Sequence, residues 1–285
     1  MRRSLLFMPG NNPAMLQNSD VFDADAVIYD LEDAVSVSEK DAARTLVREF
    51  LLAKESFPME VVVRINGFDT EFYMQDLEAV VSEKIDTVML PKARCEILYE
   101  LDRVLTEIEK RKNIKKKISV IPIIELAVSV LEVEDIVKAP RVNGVLLGAE
   151  DLTSDLDVQR TKASDEILYP RMRIAMACAA YKIDSIDTPF TDTNDDEGLQ
   201  NDCARAAGLA FTSKAAIHPN QIPTINSTFV PSKDKIIWAQ RVKEAARIAE
   251  EKGLGVFSLD GKMVDKPVMD RAAKILAKAQ RYNLI

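Results

Sequence analysis

Short apolar runs alternate with amphipathic stretches along most of the chain. The runs at 4–8, 26–29, 61–65, 87–90, 118–124, 144–147, 184–186 and 209–213 are nearly continuous in apolar residues. Runs of that kind, bounded by turn residues, predict strands buried on both faces of a parallel sheet. Between them the apolar positions recur at helical spacing. A helix is expected over 38–52, opening on Ser38-Glu39-Lys40-Asp41, a capping-box-like start, with Ala43, Leu46, Val47 and Phe50 on one face. Further helices are expected over about 96–109, 127–137, 165–181 and 195–206. Eight strand-then-helix units fit most economically into a closed (β/α)8 TIM barrel, an α/β fold. An open doubly wound sheet is the competitor, and no Gly-x-Gly-x-x-Gly follows the first strand to give it a nucleotide loop.

The pattern changes near residue 230. A helix over 232–252 places Trp238, Val242, Ala245 and Ala249 on one stripe and stops at Gly253. Residues 254–259, the turn Asp260-Gly261 and Lys262-Met263-Val264 predict a hairpin. Pro267 then opens a last helix showing Val268, Ala272, Ile275 and Ala279 on one face. The chain is therefore expected to comprise a barrel over 1–230 and a helix–hairpin–helix extension over 231–285. That extension is placed to cover the barrel mouth or to reach a neighbouring subunit.

Composition narrows the chemistry. The 285 residues include 46 acidic against 38 basic side chains, a formal charge of -8, and no basic stripe interleaved with aromatics. Nucleic acid is thus an improbable partner. Cys95, Cys178 and Cys203 stand too far apart for a metal cluster or a disulfide scaffold, which points to a reducing compartment. His218 is the one histidine, so zinc sites built on several imidazoles are excluded. The start, Met1-Arg2-Arg3 followed by a short apolar run to Pro9-Gly10, is too brief for a signal peptide, and no run is long enough to cross a bilayer. A cytoplasmic protein is expected.

In a barrel of this type the active site lies at the carboxyl ends of the strands. Those ends carry Asp30-Leu31-Glu32-Asp33, Arg64 and Asn66, Pro91-Lys92, Glu125, Glu150-Asp151, Asp187, and Lys214 with His218. So many carboxylates at one rim repel one another unless a divalent cation neutralises them. All-oxygen ligands point to Mg2+, with Mn2+ as the variant, and Glu125 with Asp151 on adjacent strands form the best ligand pair. The structural alternative is that these carboxylates cap helices or pair with lysines. Arg64 follows a buried apolar triplet and requires an anion, either Asp33 or a substrate carboxylate or enolate oxygen. Lys92 and Lys214 are candidates for a Schiff base, but neighbouring carboxylates would raise their pKa, which favours ion pairing or substrate binding. His218, followed by proline, reads as a loop residue. The basic stretch 110–117 lies between a helix end and a strand start, on the face away from the site, and reads as a solvated connector.

Taken together in order, Arg3-Ser4-Leu5-Leu6-Phe7-Met8-Pro9-Gly10, Asp30-Leu31-Glu32-Asp33, Arg64-Ile65-Asn66, Leu90-Pro91-Lys92, Gly148-Ala149-Glu150-Asp151 and Gly261-Lys262-Met263-Val264-Asp265 resemble the malyl/citryl-thioester lyase family, in its citrate lyase beta-subunit branch. The resemblance covers essentially the whole chain. It implies a (β/α)8 barrel, usually trimeric, that uses Mg2+ to cleave a hydroxyacyl thioester by a retro-Claisen reaction. By position, Glu125 and Asp151 resemble the metal ligands, and Arg64 the residue facing the keto-acid oxygen. Asp33 resembles the carboxylate that organises the metal's waters and Arg64. Asp265 resembles an acid/base inserted by a neighbouring subunit, although on its own it reads as a favourable charge at a helix start. Glu125, Arg64 and Lys92 are the expected substrate contacts. The branch also implies a thioester carried on an acyl carrier (gamma) subunit with a CoA-like prosthetic group, loaded by a transferase (alpha) subunit. Ser213 stands where a glycine is usual before the lysine. Competing functions are a malyl-CoA or citramalyl-CoA lyase using free CoA thioesters, a metal-dependent pyruvate aldolase relying on His218, and a non-catalytic CoA-binding module.

Overall fold

A computed structural model of the chain describes residues 2–251, 253 and 255–285. The chain divides into two compact units, Met1–Asn226 and Ser227–Ile285. In the first, eight parallel strands close into a barrel in chain order: β1 (Ser4–Pro9), β2 (Ala26–Asp30), β3 (Glu60–Arg64), β4 (Thr87–Leu90), β5 (Ser119–Ile124), β6 (Gly144–Leu147), β7 (Asp184–Asp187) and β8 (Ser213–Ala216). Pairing of Ser4 with Lys214 and Leu5 with Ala215 completes the ring. The intervening helices are α1 (Pro13–Gln17), α2 (Lys40–Ala53), α3 (Tyr73–Val80), α4 (Cys95–Arg111), α5 (Ala127–Leu131), α6 (Val133–Ile136), α7 (Ala149–Asp155), α8 (Leu168–Tyr181) and α9 (Asp196–Gly208), with α10 (Ile222–Thr228) after the last strand. The closed α/β barrel predicted from the run pattern is thus the observed fold.

Successive side chains on a strand face opposite ways, and this two-residue period decides what enters the barrel. Leu5, Ala26, Ile28, Val62, Met89, Ile121, Ile123, Leu146, Ile186 and Ala215 form the interior cluster, with Phe7 packed on it. Continuing the same parity one step outwards gives Asp30 on β2, Arg64 on β3 and Glu125 just past β5. The charged residues at the mouth are therefore the last inward layer of the barrel.

The opposite parity explains Lys214 and Asp187. Both follow an odd step from Ala215 and Ile186, so they point into the layer between strands and helices. There Lys214 pairs with Asp187 and Asp202 at 2.6 Å each, while Arg171 of α8 pairs with Asp187 at 2.9 Å and Asp202 at 2.7 Å. Lys214, Asp187 and Arg171 are 0% exposed. Burial would lower the lysine pKa, but the charges of Asp187 and Asp202 more than offset it and hold the ammonium protonated. A protonated, saturated ammonium is no Schiff-base nucleophile; the ion-paired alternative holds.

Several elements differ from the sequence expectation. The eighth strand is Ser213–Ala216, whereas 209–213 was expected; the backbone turns at Ala210 (φ 71°) and only then enters the sheet. A lysine in mid-strand had masked the segment. The helix expected over 127–137 is two short ones broken at Glu132, whose carboxylate accepts from Arg94 Nη2 at 2.7 Å and from the Cys95 amide at 3.2 Å. It thereby supplies the acceptor missing at the start of α4, where Arg94 makes no side-chain cap. The capping box at Ser38 does not form: Ser36 and Ser38 bond each other, and α2 begins at Lys40. The Lys40 ammonium instead donates to the Leu31 and Glu32 carbonyls at 2.8 and 2.7 Å, fastening the loop that follows β2. Asp195 caps α9 through the Gly198 amide at 2.8 Å. In the basic stretch, Arg111 pairs with Glu78 and Lys116 with Asp86, as a connector would.

The second unit holds α11 (Lys233–Glu251), a hairpin of β9 (Phe257–Leu259) and β10 (Lys262–Val264), and α12 (Lys266–Arg281). Its core joins Ile236, Ala239 and Val242 to Val264, Ala272, Leu276 and Ala279. Asp260 and Gly261 both take positive φ (52° and 73°), the primed turn that matches strand twist. The expected helix end at residue 252 and strand start at residue 254 lie outside the described residues. Among the described residues, no helix is long and apolar enough to cross a membrane.

Removing one partner from the buried four-charge group leaves an uncompensated charge. Lys214→Met is therefore expected to lower stability by about 3–5 kcal/mol, read from urea unfolding. A midpoint equal to that of the native chain would show that the cluster is not tightly coupled.

Candidate active site

A cavity of about 440 Å3 opens at the carboxyl ends of the strands, lined among others by Phe7, Arg64, Glu125, Asp151 and Thr188. It is apolar at its base and charged around its wall, because the barrel interior ends where the inward charges begin.

Arg64 is the centre of the charge arrangement. Its Nε and Nη2 donate to the two oxygens of Asp30 at 2.7 and 2.6 Å, a bidentate fork. Its remaining nitrogen Nη1 lies 2.9 Å from Glu32 Oε2 and 3.3 Å from Asp33. The guanidinium carbon stands 5.0 Å from the centre of the Phe7 ring. Asp33, the structural anion expected for Arg64, is thus the most distant of three, and Asp30 is the principal partner. Burial would lower the Arg64 pKa, but the bond to Asp30 and the charges of Asp30, Glu32 and Asp33 raise it instead. Asp30 also accepts from the Glu32 and Ala34 amides, so the loop after β2 folds around this carboxylate.

Glu32 and Glu125 are the strained carboxylates. Burial, with the nearby charges of Asp33 and Asp30, pushes Glu32 up to about 7. Its Oε2 is buried without a hydrogen bond, although it lies within ion-pair range of Arg64: the contact is close but misaligned. Burial pushes Glu125 up to about 8, with the charges of Glu32 and Asp151 adding to the effect and the Lys92 amide opposing it. That amide donates to Glu125 Oε1 at 2.5 Å because Lys92 adopts a left-handed backbone (φ 46°). The Lys92 ammonium itself turns to Asp69 at 3.2 Å, so its side chain is paired beside the cavity while its main chain holds Glu125.

Asp151 sits in the first turn of α7 and lines the same cavity as Glu125. Gly148 leaves room for Glu125 there: a Cβ at 148 would lie 2.8 Å from Glu125 Cβ and Oε2. The donor set suits a hard divalent cation. Two carboxylates, one of them pushed up by burial and like charge, line one open cavity, and a cation between them would relieve both the desolvation and the repulsion. Among the described residues, no group of three or more His, Cys, Asp or Glu is arranged to hold a metal.

Three further residues named from the sequence make the following contacts. His218 lies two residues past β8, where its Nδ1 bonds Asn220 Oδ1 at 2.7 Å, a turn-capping role. Lys214 belongs to the buried cluster behind the strands. Asp265 caps α12 by accepting from the Val268 amide at 3.3 Å, in the second unit. The sequence reading missed Asp30, Glu32 and Thr188 as site residues. Parity with Ala26 and Ile28 would have identified Asp30; nothing local marks Glu32, and Thr188 becomes visible only beside β6.

Comparison with known proteins agrees with this geometry. The sequence model of the family described as HpcH/HpaI aldolase/citrate lyase matches residues 3–219. The chain is 40% identical over 288 residues to the citrate lyase subunit beta of Leuconostoc mesenteroides subsp. cremoris, covering 100% of this chain and 95% of that one. It is 32% identical over 303 residues to the L-malyl-CoA/beta-methylmalyl-CoA lyase of Cereibacter sphaeroides, covering 99% and 95%. The crystal structure of protein CitE from Mycobacterium tuberculosis in complex with magnesium, acetoacetate and coenzyme A superposes with a TM-score of 0.79 at 32% identity, covering 97% of each chain. On barrel, mouth chemistry and full-length similarity alike, this chain belongs to the HpcH/HpaI aldolase/citrate lyase family of carbon–carbon lyases.

Proposed function

We propose that the chain is the carbon–carbon lyase subunit of a citrate lyase, cleaving a citryl thioester to oxaloacetate and an acetyl thioester. The observation that carries this reading is that Glu125, Asp151 and the clamped Arg64 line one cavity, in a chain whose full length matches citrate lyase beta subunits. When bound by Glu125 and Asp151, Mg2+ would neutralise the carboxylates and polarise the oxygen that becomes the ketone.

The remaining work falls to the chain's own side chains. The tertiary hydroxyl loses its proton, the bond between the carbinol carbon and the thioester's α-carbon breaks, and its electron pair passes to the thioester as an enolate. Arg64, held in place by Asp30, presents its guanidinium edge to the oxygen on which charge gathers. Fixed in advance by three carboxylates, it needs no reorganisation during the step. Asp33, the outermost of those partners, would hold waters at the rim. Asp265, supplied from a second copy of the chain, would carry the proton from the hydroxyl to the enolate carbon. The carrier and transferase partners, and a trimeric assembly, belong to the same proposal. It rests on the full-length similarity to citrate lyase beta subunits.

The test is oxaloacetate release from citryl-CoA and from citryl carrier protein, with and without Mg2+. Release should require Mg2+, stop on chelation, run faster from the carrier, and fall by at least about 100-fold in Glu125→Gln. Faster release from malyl-CoA would move the chain to the activity of its 32% identical relative. Silence from every thioester with metal bound would end the reading.

Gly148→Ala drives a methyl group into Glu125. Mg2+ binding followed by calorimetry should weaken about 10-fold, because ligand placement is disturbed without loss of a ligand; unchanged affinity would mean that Glu125 does not hold the metal where Gly148 leaves room.

Subunit sharing is tested by mixing Arg64→Ala and Asp265→Ala chains, each expected to be inactive alone. Partial recovery of activity on mixing is the expected result, and none would count against a site shared between subunits.

A further inference from the structure

The proposed chemistry makes no use of the buried group behind β7 and β8, yet one of its bonds reaches the cavity. A lysine ammonium has three donors, and Lys214 spends them on Asp187, Asp202 and the Thr188 carbonyl, each at 2.6 Å. Two of these balance charge. The third grips the residue at which β7 ends and the cavity wall begins.

Thr188 is 1% exposed, and its hydroxyl oxygen accepts from the Ala149 amide at 3.3 Å. That bond answers a need created at Gly148. The N-cap position of α7 normally offers a side-chain oxygen to the first amides of the helix; Gly148 has no side chain to offer. A serine or aspartate cannot stand there, because any Cβ would collide with Glu125. The capping oxygen therefore comes from Thr188, the residue just past the neighbouring strand β7. The helix start so fixed carries Asp151 two residues further on, while Gly148 lies against Glu125.

We propose that Thr188 is a positioning residue for the metal-binding carboxylates: gripped by Lys214 at its carbonyl and bonded to the Ala149 amide at its hydroxyl, it fixes the start of α7 and so sets Asp151 against Glu125. The inference rests on the assignment of Glu125 and Asp151 to the metal. Thr188 acts through α7 and not on the reacting atoms. The rigid anchor is the charge group itself, tied to α8 through Arg171 and to α9 through Asp202.

Lys214 variants are poor probes, since they weaken the fold. Thr188→Val keeps the side-chain volume and removes the acceptor; Thr188→Ser keeps the acceptor. On the full-length chain without substrate, Mg2+ affinity measured by calorimetry should fall about 10-fold in Thr188→Val and stay at the native value in Thr188→Ser. Amide hydrogen exchange over residues 149–152 should quicken in the valine variant alone, with an unchanged unfolding midpoint. Native Mg2+ affinity in Thr188→Val, or equal losses in both variants, overturns the positioning role while leaving the ligand assignment standing. A native chain that binds no Mg2+ overturns the ligand assignment and this inference together.

Discussion

Side chains of a closed eight-stranded barrel alternate strictly between the interior and the surrounding helices, and the chemistry of this protein follows from where that alternation runs out. In the middle of the barrel the inward positions are apolar, and several turn charged as the strands near their carboxyl ends. At several strands the next inward position is charged or small, where it meets the mouth. Asp30, Arg64 and Glu125 occupy those positions, and Gly148 takes the corresponding place after β6. Placing ionic groups on the last rung of an apolar barrel desolvates them, and this is why Glu125 is driven up to about 8 and Glu32 to about 7. The same desolvation strengthens the Asp30–Arg64 fork, which needs no long side-chain search to form since both residues are set by strand register, Asp30 opposite Arg64.

The outward positions tell the complementary story. Lys214, Asp187 and Arg171 are among the most buried residues of the chain, yet they face away from the cavity. Two cations and two anions pair there at 2.6–2.9 Å, which offsets much of the cost of burying them, although Arg171 Nη1 is buried without a hydrogen bond. The cluster joins β7 and β8 to α8 and α9, the region where the barrel closes on β1. Through the Thr188 carbonyl it also gives the cavity wall a fixed point. Structure and site thus share one element: the wall that carries Thr188 is held from behind by the Lys214 ammonium, whose three donors are all in use.

Much of this was readable in the residue order. Seven of the eight apolar runs fell on the observed strands to within a residue or so at either end, because parallel barrel strands are buried on both faces and need continuous apolar stretches. The eighth was displaced because Ser213-Lys214-Ala215-Ala216 hides a strand behind a lysine whose partners come from β7 and α9. The hairpin at Asp260-Gly261 was legible since its turn demands two positive φ angles. The break at Glu132 was not, because the reason for it, the Arg94 side chain and the Cys95 amide, lies on another helix.

For the site, the order of residues determined the chemistry on offer: carboxylates and an arginine at strand ends, with a lone histidine and scattered cysteines that exclude soft-ligand metals. That much depends only on residue type and on the period of two. Which carboxylate holds Arg64, which lysine is spent on structure and which amide holds Glu125 were decided by tertiary structure alone. Asp30 and Asp33 are three residues apart and alike in type; only the pairing of β2 with β3 brings the first within 2.6 Å of the guanidinium and leaves the second at 3.3 Å. Lys92 and Lys214 are likewise equivalent as strand-end lysines until closure of the barrel buries one among anions and leaves the other at the rim beside Asp69. The physical reason is common to both cases: hydrophobic periodicity is encoded locally, whereas the partner of a charge is whatever residue distant in sequence the closed sheet places beside it.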